Sequence, residues 1–257
     1  MIEYEKFIYL DMYKTGSTYI VQLLNKLVAD KPVRSFRHAP LTKGRPFFWK
    51  RGKLAFATVR NPWDWYVSMW AYSIEQPNVL FFRDVRSVLG EEGSKKLFDP
   101  ENPKESFALW LKSLNNPEFL RKVMVGHPYS RSSVNSFLGF YSYRFIRVTT
   151  PHPAFFLHRW YMWNMDRAIA HQKRWALYDR VFKSESLTDD FSEFVLENQE
   201  RCGFKSNAKG ILKRLAPTPK NTSNRTLNSY RDYYTDELRD LVAKRDRLLI
   251  ELFGYEF

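Results

Sequence analysis

The chain has 257 residues, 44% of them hydrophobic, which is enough to bury a sizeable core; its single cysteine, Cys202, excludes an internal disulfide and a cysteine-based zinc site. Lys and Arg number 41 against 28 Asp and Glu, and the net charge of +13 favours an anionic partner without choosing among a nucleotide, a nucleic acid, an acidic glycan and a membrane surface. No basic-then-apolar leader opens the sequence, no run approaches the ~20 apolar residues of a membrane span, and the basic residues form no long block, so we expect a cytoplasmic protein with no membrane span and no specific nucleic-acid partner.

The first element is a strand, Phe7-Ile8-Tyr9-Leu10, an apolar and aromatic run too short for a helix. Ile20, Leu23, Leu24, Leu27 and Val28 fall on one face at helical spacing, so a helix follows the strand. Between them lie Lys14, Thr15, Gly16, Ser17 and Thr18. A strand, a tight glycine loop and a helix N-terminus make an anion site, because unpaired N–H groups and the positive end of the helix dipole point into the loop. Lys14 adds a full charge, and Ser17 and Thr18 add hydroxyls. The lysine precedes the glycine, which is the wrong order for a nucleotide-triphosphatase loop. Taken alone, the same five residues read equally well as an ordinary strand-to-helix turn with a surface lysine.

A second strand is expected at Leu54–Val59, followed by a helix in "RNPWDWYVSMWAYS", with Asn61 as N-cap and Pro62 in its first position. Two strand-then-helix units predict an α/β architecture: three layers, with a central mostly parallel sheet flanked by helices, whose helix N-termini converge at the carboxyl ends of the strands. Residues 77 to 105, rich in Pro, Gly and charge, predict a long loop or lid. The aromatic stretch from residue 107 to 175 predicts helices with the rings in the core. A third strand is expected at residues 178 to 183, a helix capped near Thr188, a basic loop over residues 205 to 231, and a final helix after Thr235 carrying Leu238, Leu241, Val242, Leu248, Leu249 and Leu252 on one face. We expect one domain over residues 1–257, with a variable region at about residues 75–175.

Arg60 ends the second strand and Ser68 lies eight residues further, about two helical turns, so that a guanidinium and a hydroxyl can hold one phosphate together. With that pair, "KTGST" after one strand and "RNPWDWYVS" after the next resemble the two cofactor loops of sulfotransferases that use 3′-phosphoadenosine 5′-phosphosulfate (PAPS), and "YRDYYTDELRDLVAKRDRLLIELFGYEF" looks like the C-terminus of bacterial members. The matched segments cover about a third of the chain.

The resemblance implies the P-loop NTPase-like sulfotransferase fold and transfer of a sulfuryl group from PAPS to a hydroxyl or amine of a small-molecule or carbohydrate acceptor, with 3′,5′-bisphosphoadenosine (PAP) as product and no metal. It sets Lys14, Thr15, Gly16, Ser17 and Thr18 at the 5′ end of the donor and Arg60 and Ser68 at the 3′-phosphate. His38, in "RHAPL", takes the place of the catalytic base, with Glu185 as the fallback, and Lys14 stabilises charge on the bridging oxygen. Tyr13 replaces a proline common in the family; Tyr19 replaces an adenine-stacking tryptophan and can still offer a ring face. The segment that closes over the 3′-phosphate in cytosolic members is missing, and Lys220, Asn221, Ser223 and Arg225 are candidates to replace it. The alternatives are an ATP-dependent small-molecule kinase of related architecture and a non-catalytic basic protein that binds nucleic acid or acidic glycan.

Overall fold

A computed structural model describes residues 1–43, 52–76, 80–158, 164–214 and 225–257. In chain order the elements of the first half are β1 (Ile2–Glu3), β2 (Phe7–Leu10), α1 (Ser17–Leu27), β3 (Arg34–Ser35), β4 (Leu54–Val59), α2 (Pro62–Glu75), α3 (Leu80–Leu97), α4 (Pro103–Leu114), α5 (Pro117–Val123) and α6 (Pro128–Arg131). The second half holds α7 (Phe140–Thr149), α8 (Pro153–His158), α9 (Met165–Trp175), β5 (Arg180–Lys183), α10 (Leu187–Glu197), α11 (Gln199–Cys202), α12 (Ala208–Lys213), α13 (Asp236–Arg245) and α14 (Arg247–Phe253). They form two compact units, each assembled from three separate stretches of chain: residues 1–60, 145–153 and 174–221 in one, and residues 61–144, 154–173 and 222–257 in the other.

The first unit is α/β and carries a five-stranded sheet in the order β3-β1-β2-β4-β5. β2, β4 and β5 are parallel, with Tyr9 opposite Phe56 and Thr58 opposite Phe182. β1 pairs antiparallel with both β2 and β3, so the sheet is mixed, where the sequence predicted one mostly parallel. The cause lies in the first turn. The N–H of Tyr4 donates to the carbonyl of Phe7 (2.9 Å), folding β1 back onto β2, and a two-residue strand is too short to show a pattern. Both faces of β2 and β4 are buried, which is why these two strands read as continuous apolar runs. On one face Phe7, Tyr9, Leu54, Phe56 and Phe182 share a cluster with Ile20, Leu23 and Leu24 of α1 and with Leu187, Phe191 and Phe194 of α10. The ring of Phe56 lies 5.1–5.7 Å from those of Tyr9, Phe182, Phe191 and Phe194. The outer strands carry charge instead, Arg34 on β3 and Arg180 and Lys183 on β5, the usual protection of a strand edge against pairing with another chain.

The second unit is helical among its described residues, as the aromatic density predicted for the middle of the chain. Trp65 of α2 stacks on Tyr141 of α7 at 4.2 Å, and Trp70 meets the edge of Phe107 of α4 at 6.0 Å. The described part of residues 77 to 105 is mostly helical and not the long loop the sequence predicted. Residues 77–79 lie outside the described residues; beyond them the stretch forms α3 and the start of α4. The residues that suggested a loop have other uses there: Gly90, at φ +70°, marks a bend within α3, and Pro103 occupies the first turn of α4, where its missing N–H costs nothing.

The final helix is two helices. α13 and α14 part at Asp246, where the carbonyl of Arg245 accepts from the N–H of Gly139 (2.6 Å) and the N–H of Leu249 donates to the carbonyl of Asp246 instead (3.0 Å); the buried Asp246 carboxylate accepts hydrogen bonds from the Tyr66 hydroxyl (2.7 Å) and the Ser142 N–H (2.8 Å). Burial still pushes this carboxyl above its usual range, and those two donors only partly offset the shift. Among the described residues no helix is long and apolar enough to cross a membrane.

Candidate functional site

β2 delivers the chain at Leu10 to a loop that reaches α1 through two residues in left-handed conformation, Lys14 at φ +63° and Gly16 at φ +83°. Gly16 is the N-cap of α1 and has no side chain to cap with, and no acidic residue stands in the first turn. The N–H groups of that turn therefore keep their capacity for an anion, unlike those of α2, where the Asn61 side chain accepts from the Trp63 N–H (3.0 Å). A side chain at position 16 would also displace a neighbour: a Cβ there would fall 2.4 Å from Cδ2 of Leu187.

The loop is tied to β4 from beneath. Thr15 is fully buried; its hydroxyl lies 2.7 Å from the carbonyl of Met12 and 2.6 Å from the hydroxyl of Thr58, which in turn lies 3.1 Å from the hydroxyl of Tyr9. Its side chain thus anchors the loop, and what Thr15 offers to a ligand is backbone. At the end of β4, Nη1 of Arg60 donates to the carbonyl of Lys14 at 3.4 Å, which ties the end of that strand to the loop before α1. Ser184 N donates to the carbonyl of Val59 (2.7 Å) just past β5, and the exposed Glu185 follows it. All three parallel strands thus present a candidate residue at their carboxyl ends, where ligands bind in α/β sheets.

His38 is held at the same edge. Asp11, the residue after β2, is 0% exposed and makes an ion pair with Nε of Arg37. Its other oxygen lies 3.4 Å from Nδ1 of His38. Burial alone would raise this carboxyl, but the hydrogen bond and charge of His38 together with the charge of Arg37 outweigh it and hold Asp11 at about 2. Arg37 also donates through Nη2 to the hydroxyl of Ser17 at 3.0 Å, so a guanidinium stands over the first turn of α1. The ring of Tyr13 meets that of His38 edge-on at 5.4 Å.

The first unit therefore gathers Lys14, Thr15, Gly16, Ser17, Thr18, His38, Arg60 and Glu185 at the sheet edge. Thr18 is exposed at the helix start. Tyr19 does not present a stacking face: its ring belongs to the core cluster, and its buried hydroxyl has no hydrogen-bond partner among the described residues. Ser68 lies in the second unit, inside α2, where it is 1% exposed and its Oγ has no hydrogen-bond partner among the described residues. Of the residues expected to close over the 3′-phosphate, Lys220, Asn221 and Ser223 lie outside the described residues, and Arg225 is ion-paired with Asp64 of α2 at 2.6 Å. Sequence reasoning missed Asp11, Arg37 and Thr58. The signal for Asp11 was a lone carboxylate directly after an apolar strand, and for Arg37 its place beside His38.

Comparisons of the chain with protein-family models, curated proteins and solved structures gave no match.

Proposed function

We propose that the chain is a PAPS-dependent sulfotransferase of the bacterial soluble type, with the P-loop NTPase-like fold of that family. One observation carries the reading. The loop that leads through left-handed Lys14 and Gly16 to the uncapped N-terminus of α1 is hydrogen-bonded at Lys14 by Arg60, and His38 stands beside the first turn of α1 through Arg37 and Asp11. This donor set suits a doubly anionic nucleotide: backbone N–H groups and Lys14 for the 5′-phosphosulfate, and a guanidinium for the 3′-phosphate. PAPS supplies the sulfuryl group and the leaving phosphate. The chain's own residues bind and align it, and His38 takes the proton from the acceptor hydroxyl. The acceptor is a small molecule or carbohydrate.

A thermal-shift panel tests the reading. PAP at a hundred times its dissociation constant stabilises by about 2.7 kcal/mol, a rise of roughly 5–10 °C for a protein of this size. A rise with ATP and magnesium but not with PAP would make the chain a kinase. A rise with heparin or an oligonucleotide alone would make it a binding protein.

A further inference from the structure

Oδ1 of Asp11 and Nδ1 of His38 face each other at 3.4 Å, and neither atom has a hydrogen-bond partner elsewhere among the described residues. Both belong to one compact unit, and Asp11 is fully buried. A buried carboxylate oxygen facing an imidazole nitrogen is stable only if that nitrogen carries the proton, since otherwise two lone pairs would oppose each other away from water. The other carboxylate oxygen is occupied by Nε of Arg37 and by the N–H of His38 itself (3.4 Å), so the carboxylate cannot turn to leave the ring. The backbone is committed as well: His38 sits at φ +57°, a conformation that costs a non-glycine residue and persists where the surroundings over-determine it. The edge-on ring of Tyr13 holds the imidazole from another side.

We infer that Asp11 is the positioning residue of this site, fixing His38 as the Nδ1–H tautomer so that the lone pair lies on Nε2, the nitrogen turned away from the carboxylate. This rests on the sulfotransferase reading only for what Nε2 acts on. There, Nε2 takes the proton of the acceptor hydroxyl as its oxygen bonds to sulfur. The bond from sulfur to the bridging oxygen breaks, its electron pair stays on the phosphate, and the Asp11 carboxylate balances the imidazolium. Asp11 touches no reacting atom. It differs from a merely structural acid in setting which nitrogen is free.

The test reads the ring directly. Long-range nitrogen–proton NMR on protein labelled with nitrogen-15 histidine distinguishes the tautomers, and His38→Gln identifies the signal by its loss. In the wild-type protein the neutral ring should be mainly the Nδ1–H form. In Asp11→Asn the amide can donate to Nδ1 instead, and the ring should move to the Nε2–H form. Single-turnover transfer should then fall by about 10²–10⁴-fold while PAP affinity stays within about threefold. A wild-type ring in the Nε2–H form overturns the inference, and this result needs no variant, so it stands even if Asp11→Asn fails to fold. An unchanged tautomer in a folded Asp11→Asn also overturns it. If the tautomer switches as expected but PAP does not bind the wild-type protein, the sulfotransferase reading fails and the positioning of His38 stands.

Discussion

Gly16→Ala is the most direct test of how the loop before α1 is built. The residue sits at φ +83°, and a Cβ there would lie 2.4 Å from Cδ2 of Leu187. Holding alanine in the left-handed region costs about 1–2 kcal/mol. Leu187 is 4% exposed and packed in the core cluster with Phe191 and Phe194, so moving its methyl group disturbs packed neighbours. Forcing it aside adds about 1–3 kcal/mol, for a total of roughly 2–5 kcal/mol. Urea denaturation followed by far-UV circular dichroism measures the loss. A double-mutant cycle with Leu187→Ala then separates the two costs. That truncation alone costs about 2–5 kcal/mol, and in its presence Gly16→Ala should cost at least about 1 kcal/mol less, because the overlap is gone while the backbone cost remains. Full additivity would refute the steric half of the reasoning. A Gly16→Ala protein within about 0.5 kcal/mol of wild type would refute both halves.

Thr58→Val removes the hydroxyl beneath the loop and leaves that of Tyr9 without a partner, so it should cost about 1–3 kcal/mol in denaturant titrations, and adding Tyr9→Phe should recover part of the loss. Arg60→Ala should weaken PAP by about 1.5–3 kcal/mol in calorimetry and weaken 5′-AMP much less; equal weakening would remove Arg60 from the 3′-phosphate. His38→Ala should leave PAP affinity nearly intact while transfer falls roughly 10²–10⁴-fold, whereas Lys14→Ala should damage both; transfer near the wild-type rate in His38→Ala would move the base to Glu185. Because Asp11 is held at about 2 against an ordinary 3.8, its contribution to stability is fully present above pH 4 and is lost as the pH falls through 2. From pH 4 to pH 2 the wild-type protein should lose about 2 kcal/mol more than Asp11→Asn, and parallel curves would contradict the depressed carboxyl.

β2 and β4 were legible to the residue because both faces of each strand are buried, which leaves an uninterrupted apolar run with sharp polar ends. The start of α2 was legible from Asn61 and Pro62, whose cap geometry is local. β1 and β3, at two residues each, show no pattern of their own and exist through pairing with a distant partner. Asp246 reads in sequence as a polar position on a leucine-faced helix; only the tertiary fold brings Tyr66 and Ser142 to its carboxylate and the N–H of Gly139 to the carbonyl of Arg245, where the helix breaks. At the site, Lys14, Gly16 and Arg60 carried a motif that could be read. Asp11 and Arg37 carried none, since their roles come from meeting each other and His38 across a gap of 26 residues.

The pairing of β5 with β4 also sets the order in which the sheet can be completed during synthesis. The N–H of Ala55 donates to the carboxylate of Asp179, 124 positions later in the chain. At about 5–20 residues per second, the ribosome needs roughly 6–25 s to supply that partner. For that interval the nascent chain holds an uncharged segment, Leu54–Val59, with one edge unpaired, while the charged strand that will shield it has not been made. The charges of Arg180 and Lys183 protect the finished sheet but not the emerging one, so the yield of folded protein should depend on chaperone supply and rise when translation is followed by slow, cool folding.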